Sequence, residues 1–185
     1  MRILGVDPGT QRTGAGLVEI KGSQYLLLHS ETLHLSPKLS AAEKLRFIYR
    51  TLRQVIKEFN PQVMALENIF FGKDLRAMIK IGEARACAML AASEEGIPVV
   101  EYSPSEVKKA LSGNGLATKE QVQFMVKSLL KMKTVPAPDS ADALAIAICH
   151  AHSARGATAK VNETLGLSAR QKRTWESVVK ERMKN

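Results

Sequence analysis

Residues 3–20 read ILGVDPGTQRTGAGLVEI, an apolar run that ends in an aspartate directly before Pro8-Gly9-Thr10 and then resumes as a second apolar run. Residues 2–7 read as a strand and residues 14–20 as its hairpin partner, because two β-compatible runs are separated by turn-forming residues. Asp7 therefore stands where a strand gives way to a turn. An aspartate can serve such a turn alone, by bonding its own backbone beside Pro-Gly. It takes on another meaning if acids remote in sequence converge on the same strand end.

Working outward, the Lys21-Gly22-Ser23 turn leads into a third strand over residues 24–35, which completes an antiparallel meander. The period then changes. Leu45, Ile48, Tyr49, Leu52, Val55, Ile56 and Phe59 recur at three- and four-residue steps, an amphipathic helix over 38–59 closed by Asn60-Pro61. Residues 62–67 (QVMALE) return to strand, with Glu67 at the end. Residues 73–95 read as a long helix with a face of small residues, Ala77, Ile81, Ala84, Ala88 and Ala91. Such a face packs either on the protein's own sheet or on the same helix of a two-fold partner. A short strand follows at 97–101. Ser103-Pro104-Ser105-Glu106 is a capping box with proline at the first helical position, so a helix starts near 104. Thr118-x-x-Gln121 opens another, which carries Val122, Met125, Val126, Leu129 and Leu130 inward. After Pro136 and Pro138, Asp139 starts the helix DSADALAIAICHAH. The order predicts an α/β fold: a mixed five-stranded sheet with helices on both faces.

A length of 185 residues with 45% hydrophobic content suits one domain with an appendage. Residues 1–152 form the expected domain. From Ser153 the chain reads first as a Gly/Ala/Thr linker and then, from about 168, as a polar helix, a basic tail over 153–185. Cys87 and Cys149 show neither metal-ligand spacing nor a paired framework, which points to a reducing, cytoplasmic setting. No apolar run reaches the roughly 18–20 residues of a bilayer span, and the first residues enter a strand without a signal-peptide core. Lys and Arg number 27 against 18 Asp and Glu, for a net charge of +9, which favours a polyanionic partner. The tail holds eight basic and three acidic residues, suited equally to a solvated helix and to a nucleic-acid contact.

The first strand and the strand after the first helix are commonly parallel neighbours in a small mixed sheet, which sets Asp7 and Glu67 side by side. Asp139 and Asp142, three residues apart on the first turn of a helix, share one face. Docking that helix end near the strand ends gathers four acids in one pocket. Packed carboxylates repel and must take up protons, unless a divalent cation such as Mg²⁺ joins them, with water and phosphate oxygens completing its shell. Singly, Asp7 fits a turn, Glu67 a solvated strand end, Asp139 an N-cap and Asp142 a partner of the helix dipole. Together they point to a metal site, and Glu67 lies between apolar MAL and Phe70-Phe71, a poor context for a solvated acid.

Five stretches in order resemble one family: VDPGTQRTGAG (6–16), ALENIFFGKD (65–74), IKIGEARA (79–86), EVKKALSGNGLATKEQV (106–122) and DSADALAIAICH (139–150). Over residues 1–152 the chain is similar to the RuvC family of Holliday-junction resolvases. The resemblance implies a ribonuclease H-like fold and Asp7, Glu67, Asp139 and Asp142 as the catalytic acids. It also implies hydrolysis with two Mg²⁺ ions, for which Mn²⁺ can substitute, leaving a 5′-phosphate. Asp139 falls where some members carry histidine, so it is either a ligand or a base that orients water. Lys108 and Lys119 match lysines used near the scissile phosphate, Lys109 is auxiliary, and Phe70 matches an aromatic placed on unstacked junction bases. Lys73 falls among the DNA-contacting positions, although Lys73-Asp74 and Ala77-Met78 depart from an Asn and a Ser common in relatives. The implied partners are four-way junction DNA, a second copy in a homodimer with helix 73–95 as the seam, and the branch-migration proteins RuvA and RuvB.

Three other readings compete. An ATP-binding protein of the actin and sugar-kinase type also has Asp-x-Gly-Thr after its first strand, but needs a second such domain. A related nuclease acting on RNA or another branched DNA differs in substrate only. A non-catalytic junction-binding module has no use for four gathered acids.

Overall fold

The computed structural model describes residues 1–9, 11–68 and 74–164, with side chains as far as Ala154. Five strands, β1 (Arg2–Asp7), β2 (Arg12–Lys21), β3 (Gln24–His34), β4 (Val63–Glu67) and β5 (Val99–Tyr102), form one sheet in the order β3-β2-β1-β4-β5. β1 pairs antiparallel with β2 and β2 with β3, whereas β4 runs parallel to both β1 and β5. The expected meander and the parallel β1–β4 pair are both present.

Five helices complete the described fold: α1 (Ala41–Phe59), α2 (Leu75–Glu94), α3 (Pro104–Ser112), α4 (Lys119–Leu129) and α5 (Pro138–Thr164). Their starts are chemically marked. Ser40 with Glu43, Ser103 with Glu106, and Thr118 with Gln121 form reciprocal capping boxes at α1, α3 and α4, satisfying backbone donors that the first turn leaves unpaired. Asp74 caps α2 by accepting from the backbone N–H groups of Arg76 and Ala77. That cap starts the helix at Leu75 rather than at 73. Asn60 ends α1 in the left-handed conformation, φ 48°, which asparagine tolerates better than most residues.

Alternation along the strands sorts the apolar residues into two cores. Leu4, Val6, Leu17, Met64 and Leu66 pack with Leu52, Ile56, Ala84 and Ala88 on the α1/α2 side. Ile3, Val18, Val63 and Ala65 pack with Val107, Val126, Leu144 and Ile148 on the α3/α4/α5 side. Helices therefore cover both faces, as expected.

One open alternative is decided and one sequence reading changes. The small face of α2 is internal: Ala84, Ala88 and Ala91 are fully covered against the sheet and α1. The predicted linker after Ser153 is helical to Thr164, because its alanines propagate the helix, no proline interrupts it, and one glycine costs only about 1 kcal/mol. The polar helix predicted from about 168 lies outside the described residues. The chain divides between His152 and Ser153.

Candidate active site

Pairing between β1 and β4 ends at Val6 opposite Leu66, so Asp7 and Glu67 are the next residues along two parallel strands. Val6 and Leu66 both point into the α1/α2 core. Alternation therefore turns Asp7 and Glu67 to the opposite face, where α5 lies.

Glycines bring α5 down to that face. A Cβ on Gly5 would stand 2.0 Å from the Ala143 carbonyl oxygen, and one on Gly14 2.0 Å from that of Asp139. A Cβ on Gly16 would meet the Leu144 side chain at 2.8 Å. No other residue type leaves room for this approach. Gly14 is paired with Asp7 across β1 and β2, so the Asp139 backbone sits directly above Asp7's neighbour. A hydrogen bond between the Thr32 and Ser140 hydroxyls, 2.8 Å, ties the start of α5 to β3.

The charges reveal how closely the acids are set. Burial, then the neighbouring charges of Glu67, Asp142 and Asp139, push Asp7 from 3.8 up to about 7, with Lys119 opposing. Glu67 is raised by burial and then by Asp142, while Lys119 and Lys108 pull it back. Lys119 Nζ lies 3.0 Å from Asp142 Oδ2, and that hydrogen-bonded pairing holds the ammonium above its ordinary range. Arg12 Nη1 stands 3.6 Å from Asp139 Oδ2. All four acids thus share one electrostatic neighbourhood with two lysines and an arginine at its edge.

This donor set fits a divalent cation. It consists of hard carboxylate oxygens, and Asp7 is pushed up to about 7 first by burial and then by its acidic neighbours, negative charge that a cation offsets. Among the described residues no group of three or more His, Cys, Asp or Glu side chains is gathered tightly enough to hold a metal ion. A cation with water and phosphate oxygens in its shell suits such an open set, and Mg²⁺ commonly binds in that way.

The remaining predicted residues divide clearly. Lys108, half-buried on α3, acts on Glu67. Its neighbour Lys109 is exposed and contributes to neither acid's shift. Phe70 and Lys73 lie outside the described residues. Sequence reasoning missed Arg12 and Arg85. Arg85, on α2 and buried, donates from Nη1 to the Glu67 backbone carbonyl at 2.5 Å and pairs through Nη2 with Glu101. It fixes the chain at the end of β4, at Glu67 itself. A charged residue between buried Ala84 and Ala88 was the available signal.

A family model described as crossover junction endodeoxyribonuclease RuvC matches residues 3–150. The crossover junction endodeoxyribonuclease RuvC of Pelotomaculum thermopropionicum is 48% identical over 153 residues, 82% of this chain and 93% of that protein. The structure of Thermus thermophilus RuvC in complex with Holliday junction substrate superposes with a TM-score of 0.82 at 41% identity, covering 85% of this chain and 97% of that one. The yeast mitochondrial Holliday junction resolvase Ydc2, at 11% identity and a TM-score of 0.63 over 88% and 83% of the two chains, shares the fold alone. A match running from β1 into α5 takes in all four acids and the glycines that seat them, and the chain belongs to the RuvC family, with its ribonuclease H-like resolvase fold.

Proposed function

We infer that this chain resolves four-way DNA junctions by hydrolysing one phosphodiester in each of two strands of like polarity. The observation that carries the reading is the convergence of Glu67, Asp139 and Asp142 on a half-buried Asp7 whose carboxyl is pushed up to about 7. Family membership brings metal dependence, and we assign the metal as Mg²⁺, two per site, held by Asp7, Glu67, Asp139 and Asp142, with Mn²⁺ able to replace it. Bound divalent ions supply an attacking water of lowered pKa and neutralise charge at the leaving 3′-oxygen, giving a 5′-phosphate.

The chain's own groups supply the rest. Asp7, on the central strand of the sheet, anchors the site. Asp142 orients the Lys119 ammonium at 3.0 Å, and Lys108 adds positive charge beside Glu67. These two lysines are the groups placed to meet the negative charge that grows on a phosphate in the transition state. Asp139 serves as ligand or as the residue orienting water. Phe70 stacks on an unpaired base, and Lys73 and Lys109 contact DNA; these assignments rest on the family resemblance.

Paired incision requires two copies. With the alanine face of α2 internal, the opposite face is the proposed seam of a homodimer, since Leu75, Met89 and Leu90 on it are exposed. RuvA and RuvB are proposed partners, and the cytoplasm the proposed setting. No helix among the described residues is long and apolar enough to cross a membrane. Residues 1–152 are proposed as the nuclease domain and 153–185 as a basic tail.

The test presents a labelled four-way junction, a linear duplex and an RNA–DNA hybrid side by side with Mg²⁺. Symmetric paired nicks in the junction alone are expected. Equal cutting of the hybrid would move the assignment to a related nuclease.

A further inference from the structure

A groove of about 680 Å³ opens between α1 and α2, beginning at Gly9, two residues beyond Asp7. Its walls are apolar, with Leu35, Leu45 and Ile79 among them, and Lys44, Arg76 and Lys80 stand along it against a single acid, Glu83. That volume is within the usual range for small-molecule sites. None of the three cations makes an ion pair among the described residues.

The fold gives no reason for those charges to be there. Arg76 is the second residue of α2, whose first turn carries no acid, and Lys44 is the fourth residue of α1. Each adds positive charge at the positive end of a helix dipole, where the nearby acids are already engaged with backbone N–H groups, Asp74 in the α2 cap and Glu43 in the α1 capping box. An anion in the groove removes the conflict. Apolar walls beside unpaired cations fit a ligand that is flat and apolar on one side and negatively charged on the other.

We propose that this groove holds one unpaired nucleotide of the DNA strand next to the cut, its base between Leu35, Leu45 and Ile79 and its flanking phosphates on Lys44, Arg76 and Lys80. The proposal rests on the junction-cutting reading and adds to it a second binding site for the same strand. Gly9 puts the groove at the end of β1 that carries Asp7, on the α1/α2 side of the sheet while the acids face α5, so a strand that crosses this end of the sheet meets both, and the identity of the seated base influences where cutting occurs.

The test measures binding of a synthetic four-way junction in EDTA over a range of salt for the wild type, a Lys44→Gln/Lys80→Gln variant, and Ala41→Trp. Ala41 is exposed at the start of α1 and lines the groove, so tryptophan there obstructs it without entering the core. Loss of two phosphate contacts is expected to lower the slope of log K against log salt by roughly 1.4–1.8 and to weaken binding about tenfold. In junctions carrying one abasic site, a single position beside the cut should weaken wild-type binding and leave Ala41→Trp indifferent. Unchanged binding in both variants, or no position sensitive to base removal, overturns the proposal while wild-type junction cutting leaves the general reading intact. A fall in dimer mass for Ala41→Trp on sedimentation would instead give the groove to a second copy of the chain. If the wild type itself fails to prefer the junction over duplex, the general reading fails, and the groove proposal with it.

Discussion

Asp7 shows how a single carboxyl can work against the fold that contains it. Its proton is held more tightly in the folded chain, where the pKa is about 7, than in the unfolded chain, near 3.8. Between those values the folded state carries more protons, so its stability falls as pH rises from about 4 to about 7. The cost at neutral pH is about 2–4 kcal/mol. Asp7→Asn removes it. In EDTA at pH 7.5 the variant is expected to melt above the wild type, the difference closing near pH 4, and Mg²⁺ should raise the melting temperature of the wild type alone. The same variant should lose cleavage while holding junctions as tightly or more so; parallel loss of binding would make Asp7 structural. Lys119→Ala withdraws the charge that lowers both Asp7 and Glu67. Cleavage should fall roughly 10²–10³-fold, the scale of one lost electrostatic donor, and the acid limb of the pH–rate profile should move to higher pH. The acids and Lys119 could be read from the sequence because each stood at a strand end or helix start where its residue type needed a reason. Arg12 and Arg85 could not, since an arginine's partner lies wherever a long side chain reaches.

At the scale of elements, the site depends on how closely α5 meets β1 and β2. Gly14→Ala places a methyl group 2.0 Å from the Asp139 carbonyl oxygen. Backbone cannot yield there as a side-chain tip can, and overpacking of this kind costs about 1–3 kcal/mol. We expect Gly14→Ala to lower the melting temperature and also to lose cleavage disproportionately, because the displaced turn carries Asp139 and Asp142. Arg85→Met leaves the Glu67 carbonyl and Glu101 without their partner. Cleavage is expected to require a higher Mg²⁺ concentration, with partial recovery in Arg85→Lys. Element order, capping and the β1–β4 pairing were legible because they depend on local chemistry and on period. Which way the alanines of α2 faced was not: small residues permit close packing on either side, and only the position of α1 decides. The helix running past His152 was misread because a glycine amid alanines looks like a linker yet does not stop a helix already under way.

At the scale of the molecule, two surfaces remain to be matched with partners. The exposed Leu75, Met89 and Leu90 of α2 are proposed to meet their counterparts across a two-fold axis. Leu90→Glu puts like charges together at that axis, and sedimentation should show a monomer. Junctions treated with it should carry single nicks in place of paired ones. Removal of the tail after His152 should leave cutting of a synthetic junction in place, lower the slope of log K against log salt and weaken affinity most at low salt, where counterion release makes its cations count most. Overall charge was plain from composition, but the groove between α1 and α2 was not, because Lys44 and Lys80 are brought together only by helix packing.

The closeness of α5 to β1 also has a bearing on synthesis. Asp139 follows Asp7 by 132 residues, so a chain emerging from the ribosome presents its first strand long before the helix that completes the acid cluster. Until that helix is released and seats on the glycines, half of the carboxylates are missing. If the four acids form the proposed metal site, a growing polypeptide holds no complete site during that interval, and the site can assemble only when translation has passed the last of them.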